Sequence, residues 1–396
     1  MSIEFLYSIA VFIPFVLMPL FLPMVVLLAH RKNLTDAPNG RKLQSMPVAV
    51  MGGTAILLVV SITALIINIF YDISYMYPVY CMMVVMYIFG IVDDNVGLSW
   101  QYKAVLQLFA IILLLVGTNY GVHSLYGLFG IEEIPLWLTY LLSIFVGLLI
   151  FNAINFADGI DGLASGLGIM VSFVMAYWNI RHGFVPHALL SFTIAGALIA
   201  FFTYNVFSRR YKIYMGDSGT LLLGVFIYIS VCTNSYNSLD GTYLADNYHI
   251  SFVLALLSAM IFDFFRVVFT RILGGHAPVE ADRQHLHHIF VDAGMSHFLA
   301  TLVIIFLNVI VLLAWHLTAS NGMNITLQLF VVIAVGIVMI WSPYFYISHL
   351  RDKRIYKYNK LKKRFLLASS HADIIYNFIN RIVDGRRAKN ASHLKK

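Results

Sequence analysis

Charged residues are scarce in this sequence. Asp, Glu, Lys and Arg together make up 11% of the 396 residues, whereas hydrophobic residues make up 60% and the mean hydropathy is +0.82. Soluble globular domains carry roughly 25% charged residues. The composition therefore excludes an ordinary soluble domain, and the apolar runs of about 20 residues that recur along the chain predict many membrane-spanning helices.

Cysteines and N-terminal basic residues are also scarce. The two cysteines, Cys81 and Cys232, both lie in apolar runs, so the sequence implies neither a disulfide framework nor a cysteine-based zinc site. No Lys or Arg precedes the first apolar run. Because a secretory signal begins with a basic region, we expect this run to be a retained span.

The apolar runs predict an all-α polytopic membrane protein with about eleven transmembrane helices, each close to the roughly 20 residues that cross a bilayer. The predicted spans are residues 6–29, 48–70, 76–92, 102–118, 137–155, 161–180, 187–207, 218–235, 250–272, 296–318 and 325–347. In this layout all Lys and Arg residues except Arg181 fall on one side. Cytoplasmic loops are enriched in Lys and Arg, so we predict an external N-terminus and a cytoplasmic C-terminus.

Six aspartates lie at or near the predicted cytoplasmic helix ends. They are Asp93, Asp94, Asp158, Asp161, Asp217 and Asp263. Ionised side chains at such positions are costly and often mark a functional site. Helix capping explains one or two of them, but the adjacent pair Asp93–Asp94 repels itself unless a cation lies nearby. Two neighbouring carboxylates suit Mg²⁺, which prefers oxygen ligands, and one of them could instead act as a general base.

Two further segments combine carboxylates with glycines at helix starts. Asn155, Asp158 and Asp161 are spaced by three residues, which places them on one face of a helical turn. The eighth predicted span opens on the sequence MGDSGT, with Asp217 as its carboxylate. Helix N-termini attract anions, and a carboxylate can bind a metal ion. For the second segment a simple N-cap is the alternative.

A histidine-rich loop follows the ninth predicted span. His285, His287 and His288 lie within four residues, close to Asp282 and Arg283. His285 and His288 have the spacing of helical metal ligands, which leaves zinc as an alternative. We favour a hydrogen-bonding cationic loop for a phosphate or a sugar, because Arg makes bidentate phosphate contacts and His can donate near neutral pH.

Taken together, these segments predict a site for a diphosphate substrate and its metal ion at the cytoplasmic membrane surface, where one substrate can be a lipid. A secondary transporter with ion-coupling carboxylates is the alternative from another class. Transporters often contain two related halves and charged groups near the bilayer midplane. This sequence shows no clear internal repeat, and its carboxylates lie at one edge. A catalytically silent lipid-binding scaffold is a third alternative.

These four segments and the loop between the first two spans, in this order from about Asp36 to Gly294, resemble the polyprenyl-phosphate N-acetylhexosamine-1-phosphate transferases. The sequence ADRQHLHH, with the preceding Arg271, is similar to the branch that makes undecaprenyl-linked N-acetylglucosamine phosphate. The resemblance implies transfer of N-acetylhexosamine 1-phosphate from a UDP-sugar to undecaprenyl phosphate, with release of UMP. Such a reaction would be the first membrane step of a cell-surface glycan pathway, such as synthesis of lipopolysaccharide O-antigen. Gln44 stands where the family often has His, so that position lacks a titratable charge.

The resemblance also implies roles for individual residues. Asp93 and Asp94 are expected to be catalytic and to activate or position the lipid phosphate. Asp217 and Asn155 are expected to bind Mg²⁺, with Mn²⁺ as the alternative ion. The expected substrate-binding residues are Lys103, Asn152, Asp158, Asp161, Asn205, Arg283, His285, His287 and His288. The expected reaction is direct attack of the lipid phosphate on the β-phosphorus of the UDP-sugar, with a two-step route through an aspartyl phosphate as the rival.

We expect a multi-pass protein of the bacterial inner membrane, with no nucleic-acid partner. Residues 1–348 form the predicted transmembrane catalytic domain with cytoplasmic active-site loops, and residues 349–396 form a basic cytoplasmic tail. An apolar stripe at helical spacing in the tail consists of Ile374, Ile375, Phe378, Ile379, Ile382 and Val383. A basic amphipathic helix suggests contact with anionic lipids. Packing on the enzyme's own cytoplasmic loops, or on a second copy in a homodimer, is the alternative.

Overall fold

Helices account for most of the structure, a computed structural model that describes residues 2–36, 47–118, 120–233, 250–277 and 284–384. The α-helices are α1 (Ile3–Arg31), α2 (Gly52–Phe70), α3 (Tyr77–Val96), α4 (Trp100–Thr118), α5 (Leu136–Ala157), α6 (Leu163–Arg181), α7 (Val185–Phe207), α8 (Gly216–Thr233), α9 (Ile250–Leu256), α10 (Ser258–Leu273), α11 (Leu286–Asp292), α12 (His297–Ser320), α13 (Ile325–Gly336), α14 (Ser342–Lys353) and α15 (Ile355–Val383). A 3₁₀ turn (Ser74–Met76) precedes α3, and a π-helical segment (Ile337–Trp341) joins α13 to α14. The all-α prediction is confirmed.

Nine helical segments among the described residues are long and apolar enough to cross a membrane. α9 and α10 form a further candidate, but the chain bends by 85° between them, and the apolar part of α8, Gly216–Cys232, is shorter than a full span. Each of the eleven predicted spans corresponds to helix, and the protein is a multi-pass membrane protein. The count of eleven spans is not confirmed, and the orientation of the termini stays a prediction.

A buried asparagine stabilises the bend between α9 and α10. Backbone groups at a helix break in apolar surroundings lose their helical partners and need others. Asn308 Oδ1 on α12 accepts hydrogen bonds from the Ala259 amide (2.7 Å) and the Ser258 hydroxyl (3.0 Å), and its Nδ2 donates to the Leu256 carbonyl (3.0 Å). The predicted span at residues 250–272 is therefore not one straight helix. Hydropathy does not reveal such a break because the stabilising side chain lies on another helix.

A close contact between α3 and α8 defines one end of the bundle. A Cβ atom on Gly90 of α3 would overlap the backbone of Ser218 on α8. A Cβ on Gly53, at the start of α2, would also meet this part of α8. Small residues commonly allow membrane helices to approach this closely. The contact places the last turn of α3, with Asp93 and Asp94, beside the first turn of α8.

Short strands close the same end of the bundle. β1 (Thr35–Asp36) pairs antiparallel with β2 (Val48–Val50), and β2 pairs parallel with β5 (Ile213–Tyr214). β1 and β2 belong to the connection between α1 and α2, and β5 belongs to the connection between α7 and α8, so the sheet joins two connections of the bundle. A separate hairpin of β3 (Ser124–Leu128) and β4 (Ile131–Glu133) lies between α4 and α5.

Helix α15 packs against these connections. Asn380 Nδ2 donates to the Phe207 carbonyl at the end of α7 (2.6 Å). The Asp384 carboxylate accepts hydrogen bonds from the Ser208 hydroxyl (2.6 Å) and the Arg209 amide (2.8 Å). The tail helix therefore does pack on the protein's own loops, which was one of the sequence-based alternatives.

The outward face of α15 carries part of the predicted apolar stripe. Ile374, Phe378 and Ile382 are each about two-thirds exposed. Contact of this face with anionic lipids, or with a second copy of the chain, stays a prediction. The division of the chain at residue 348 also stays a prediction, since α14 continues to Lys353 before α15 begins.

Candidate active site

A polar cavity of about 1120 Å³ lies at the end of the bundle where α3 meets α8. Concave sites with convergent polar groups are the usual places for ligands. The charged and polar side chains that line it include Asp93, Asp94, Lys103, Asp158, Asp161, Asn205, Lys212, Asp217, His288 and His297. Five of the six aspartates that the sequence singled out thus meet in one cavity.

Lys103 joins two of these carboxylates. Its Nζ lies 2.6 Å from Asp93 Oδ2 and 3.0 Å from Asp217 Oδ2. The other oxygen of Asp217 accepts a hydrogen bond from Asn155 Nδ2 (2.5 Å), and Asn155 also donates to Thr220 Oγ1 (3.2 Å). The predicted catalytic residue Asp93 and the two predicted metal ligands therefore form one connected cluster around a single ammonium group.

Asp94 caps the first turn of α8. Its two carboxylate oxygens accept hydrogen bonds from the backbone amides of Asp217 (2.7 Å) and Ser218 (3.1 Å). A carboxylate is favourable at this position because the helix N-terminus has unpaired N–H groups and a positive dipole end. Gly216 makes the approach feasible, since its φ is +72° and a Cβ there would lie 2.8 Å from the Asp94 carboxylate. The observed contacts are structural, and the catalytic role of Asp94 stays a prediction.

Asp161 forms a second cluster with Lys212 and His297. Its Oδ2 lies 2.6 Å from Lys212 Nζ and 2.9 Å from His297 Nδ1. Burial alone would raise the pKa of Asp161, but the hydrogen bond with His297 and the charge of Lys212 outweigh it and lower the pKa below its usual value. The ionised form of Asp161 is therefore favoured, and its carboxylate orients these two side chains at the cavity wall.

Asp158 differs from Asp161 although the two belong to one loop. Burial raises the pKa of Asp158 well above its usual value, and the negative charges of Asp217 and Asp94 add to this effect. The pair illustrates how two carboxylates three residues apart acquire different proton affinities from their surroundings. A cation or a hydrogen-bond donor on a ligand would stabilise the ionised form of the Asp158 carboxyl group, so Asp158 would attract such a group.

The two remaining predicted asparagines, Asn205 and Asn152, make hydrogen bonds to backbone groups or to a side chain of another helix. Asn205 Oδ1 accepts from the Gly162 amide (2.6 Å), and its Nδ2 donates to the Ile213 carbonyl (2.8 Å). Asn152 Nδ2 donates to Gln107 Oε1 (3.1 Å). Asn205 thus ties the loop before α6 to strand β5 at the cavity wall. Direct contact of either residue with substrate stays a prediction.

Asp263 organises the histidine-rich loop. Asp263 Oδ1 accepts from Arg266 Nη2 (2.7 Å) and from the Leu286 amide (3.1 Å), while Oδ2 lies 2.9 Å from His285 Nδ1. Asp263 is therefore not part of the cavity lining, but it connects α10 to the loop that carries the histidines.

The three histidines occupy different surroundings. His285 is buried, contacts Asp263 and lies beside the tilted ring of Phe156, with 5.1 Å between ring centroids. His287 is buried beside Gly159, its Nε2 has no hydrogen-bond partner among the described residues, and burial lowers its pKa well below the usual value. His288 lines the cavity. The predicted residue Arg283 lies outside the described residues, as does Gln44.

The cluster around Lys103 has the chemistry of a divalent-cation site. The carboxylates of Asp93 and Asp217 contact one ammonium group, Asp94 lines the same cavity, and hard oxygen donors are what Mg²⁺ prefers. Within the described part of the chain, no three His, Cys, Asp or Glu side chains already stand at metal-binding positions. His285 and His288, whose spacing had left zinc as an alternative, are among these described residues and belong to no such group of three. The donor types therefore fit Mg²⁺, and the ion itself stays a prediction.

Two residues of the cavity were missed by sequence reasoning. Lys212 counted there only as a topology signal, and His297 was not considered. Lys212 stands four residues before the Gly216 turn, and His297 directly follows Ser296, which caps α12. Their positions beside helix starts were the available signal, but nothing local indicated that both would meet Asp161.

Comparison with known proteins identifies the family. The sequence model of glycosyl transferase family 4 matches residues 76–235. The undecaprenyl-phosphate α-N-acetylglucosaminyl 1-phosphate transferase of Escherichia coli O157:H7 is 30% identical over 291 residues, which cover 71% of this chain and 76% of that protein. This chain belongs to glycosyl transferase family 4. The resemblance inferred from the motifs is confirmed, and the protein is a membrane-bound transferase.

Two further relatives extend the match. The enzyme of the same name from Escherichia coli K12 is 29% identical over 359 residues, or 88% of this chain and 92% of the relative. The decaprenyl-phosphate N-acetylglucosaminephosphotransferase of Mycolicibacterium smegmatis is 29% identical over 308 residues, or 71% of this chain and 74% of the relative. The similarity to the first of these therefore covers most of this chain and most of that relative.

Proposed function

We propose that this transferase moves N-acetylglucosamine 1-phosphate from UDP-N-acetylglucosamine to undecaprenyl phosphate and releases UMP. The observation that carries the proposal is the meeting of Asp93, Asp94 and Asp217 with Lys103 in one cavity. Relatives named undecaprenyl-phosphate α-N-acetylglucosaminyl 1-phosphate transferase support the lipid acceptor and the transferred group. An ion-coupled transporter is less favoured, since the carboxylates gather at one end of the bundle.

The reaction we propose is a direct displacement. An oxygen of the lipid phosphate forms a bond to the β-phosphorus, the bond from that phosphorus to the bridging oxygen breaks, and UMP leaves with that oxygen. Lys103 lies where it can stabilise phosphate charge, and Asp93 beside it can orient the attacking group. Asp217 and Asn155 would hold Mg²⁺, which when bound neutralises charge on the diphosphate.

The setting we propose is the cytoplasmic face of the bacterial inner membrane, at the first membrane step of a cell-surface glycan. Within the cavity, Lys212 and His297 contact Asp161, whereas Lys103 contacts Asp217. Lys103, between its two carboxylates, can contact a phosphate group of the donor or of the acceptor in this cavity.

The test is turnover by the purified full-length protein with undecaprenyl phosphate, Mg²⁺ and a panel of UDP-N-acetylhexosamines. Release of UMP and the mass of the lipid product identify the donor. Asp217→Ala and Asp94→Ala should each abolish turnover without loss of expression, whereas Glu133→Gln, a change in the exposed β4 strand, should not. Chelation by EDTA should stop the reaction, and Mg²⁺ or Mn²⁺ should restore it.

The same assay separates this proposal from its rivals. A folded sample that releases no UMP with any donor would contradict the transferase proposal. With a donor made chiral at the β-phosphorus, inversion is expected for direct attack. Retention would instead support the two-step route through an aspartyl phosphate.

A further inference from the structure

A second, smaller cavity opens beside the Asp161 cluster. It has a volume of about 230 Å³. Asp161, Lys212 and His297 line both this cavity and the larger one, so the two are contiguous. Whole small-molecule sites commonly measure roughly 300–1,000 Å³. The smaller cavity is therefore suited to one part of a substrate whose remainder lies in the larger cavity.

The tail helix forms one wall of this side cavity. Asp373, Tyr376 and Asn377 of α15 line it, and Arg209 from the segment after α7 lies across from them, with its guanidinium 5.7 Å from the centre of the Tyr376 ring. No motif in the tail had pointed to these residues, because the sequence showed only the basic run and the apolar stripe on the other face of the helix.

The wall is held in place by contacts on both sides of the cavity residues. Upstream, the Ser369 hydroxyl accepts from the Ser296 amide (2.9 Å), directly before His297. Downstream, Asn380 and Asp384 bind the end of α7, as described above. Three turns of α15 are thus anchored around Tyr376, and the side cavity is part of the folded structure rather than a gap beneath a loose tail.

The charges of the cavity indicate a neutral polar occupant. Two carboxylates, Asp161 and Asp373, balance the positive charges of Arg209 and Lys212, so a phosphate gains little net attraction there. Asn377 can both donate and accept hydrogen bonds, and Tyr376 offers an aromatic ring. A heterocyclic base with its ribose matches this set of groups, because it presents a flat ring with donors and acceptors at its edges.

We infer that the side cavity between α15 and the Asp161 cluster binds the nucleoside of the sugar donor, and that Asp373, Tyr376 and Asn377 determine its affinity. This inference rests on the proposed function, in which the donor is a UDP-sugar. The diphosphate would lie in the larger cavity, and the nucleoside would reach past Asp161 to the tail helix.

The test compares two sets of substitutions on the same helix in the full-length protein. The cavity variant carries Tyr376→Ala and Asn377→Ala. The control carries Tyr356→Ala and Asn359→Ala, identical changes at exposed positions of α15 that do not line the cavity. We expect the cavity variant to raise the KM for UDP-N-acetylglucosamine at least about tenfold, with kcat and the KM for undecaprenyl phosphate within about twofold of wild type. The control should match wild type in all three values.

Binding of UMP, measured by calorimetry without turnover, separates this inference from the proposed function. We expect the cavity variant to bind UMP at least about tenfold more weakly than the control does. Equal UMP affinity in the two variants would overturn the inference, as would an equal loss of kcat and of affinity for both substrates, which indicates a structural role. A wild-type protein that binds UMP but turns over no UDP-sugar would contradict the proposed function alone. Asp373→Asn, a smaller change, should reproduce part of the KM effect.

Discussion

Replacement of Asp263 by Asn should destabilise this transferase strongly, although Asp263 lies outside the cavity. Arg266 is 0% exposed, and Asp263 is its charge partner at 2.7 Å. Removal of one partner from a buried ion pair leaves an uncompensated charge and costs about 3–5 kcal/mol. Because 1.4 kcal/mol corresponds to a factor of ten, the folding equilibrium should fall by roughly two to three and a half orders of magnitude. The change also disturbs the contacts of Asp263 with His285 and the Leu286 amide.

The assay is unfolding of the purified protein in one detergent, with turnover measured in parallel. Asp352→Asn is the matched control, because Asp352 also pairs with an arginine, Arg351, at 3.1 Å, but the two side chains are 60% and 46% exposed. An exposed pair contributes about 0–1 kcal/mol. The double variant Asp263→Asn with Arg266→Met should recover part of the lost stability. Equal stability of the Asp263→Asn and Asp352→Asn proteins would refute the reasoning.

Three further outcomes are expected. Lys103→Met should lower kcat by about 10²–10³-fold, because the ammonium between Asp93 and Asp217 is lost; a kcat near that of wild type would exclude a role in charge stabilisation. Gly90→Ala should lower the free energy of unfolding by about 1–3 kcal/mol, because its Cβ overlaps α8, and an unchanged thermal transition would contradict the close contact. Asp384→Ala should release the end of α15 and accelerate cleavage of the tail in limited proteolysis, whereas an unchanged cleavage rate would show that this carboxylate does not anchor the helix.

The membrane class, the helices and the segments of the site could be predicted because their signals are local. Apolar runs of spanning length indicate helices wherever they occur. The aspartates at helix ends stand out against the 11% of charged residues in the chain. Asp93, Asp94, Asp158, Asp161 and Asp217 could therefore be assigned to one site before any contact between them was known.

The bend between α9 and α10 and the role of Asp263 could not be predicted in the same way. Asn308, which stabilises the bend, lies 49 residues from Ala259, and no local sequence pattern predicts their contact. Asp263 had one visible neighbour, Arg266, but its contacts with His285 and Leu286 cross a segment of more than 20 residues. Such partners are chosen by helix packing, which depends on the whole bundle.

By itself, the sequence determined that this chain spans the membrane many times and that its carboxylates collect at helix ends, since hydropathy and residue order suffice for both. Only the tertiary structure decided that Lys103 lies between Asp93 and Asp217, that Asp94 caps α8 through the amide of Asp217, 123 residues later, and that the tail helix adds a wall beside Asp161. The physical reason is that a hydrogen bond or an ion pair needs its atoms within about 3 Å, and only the packed chain brings distant residues that close.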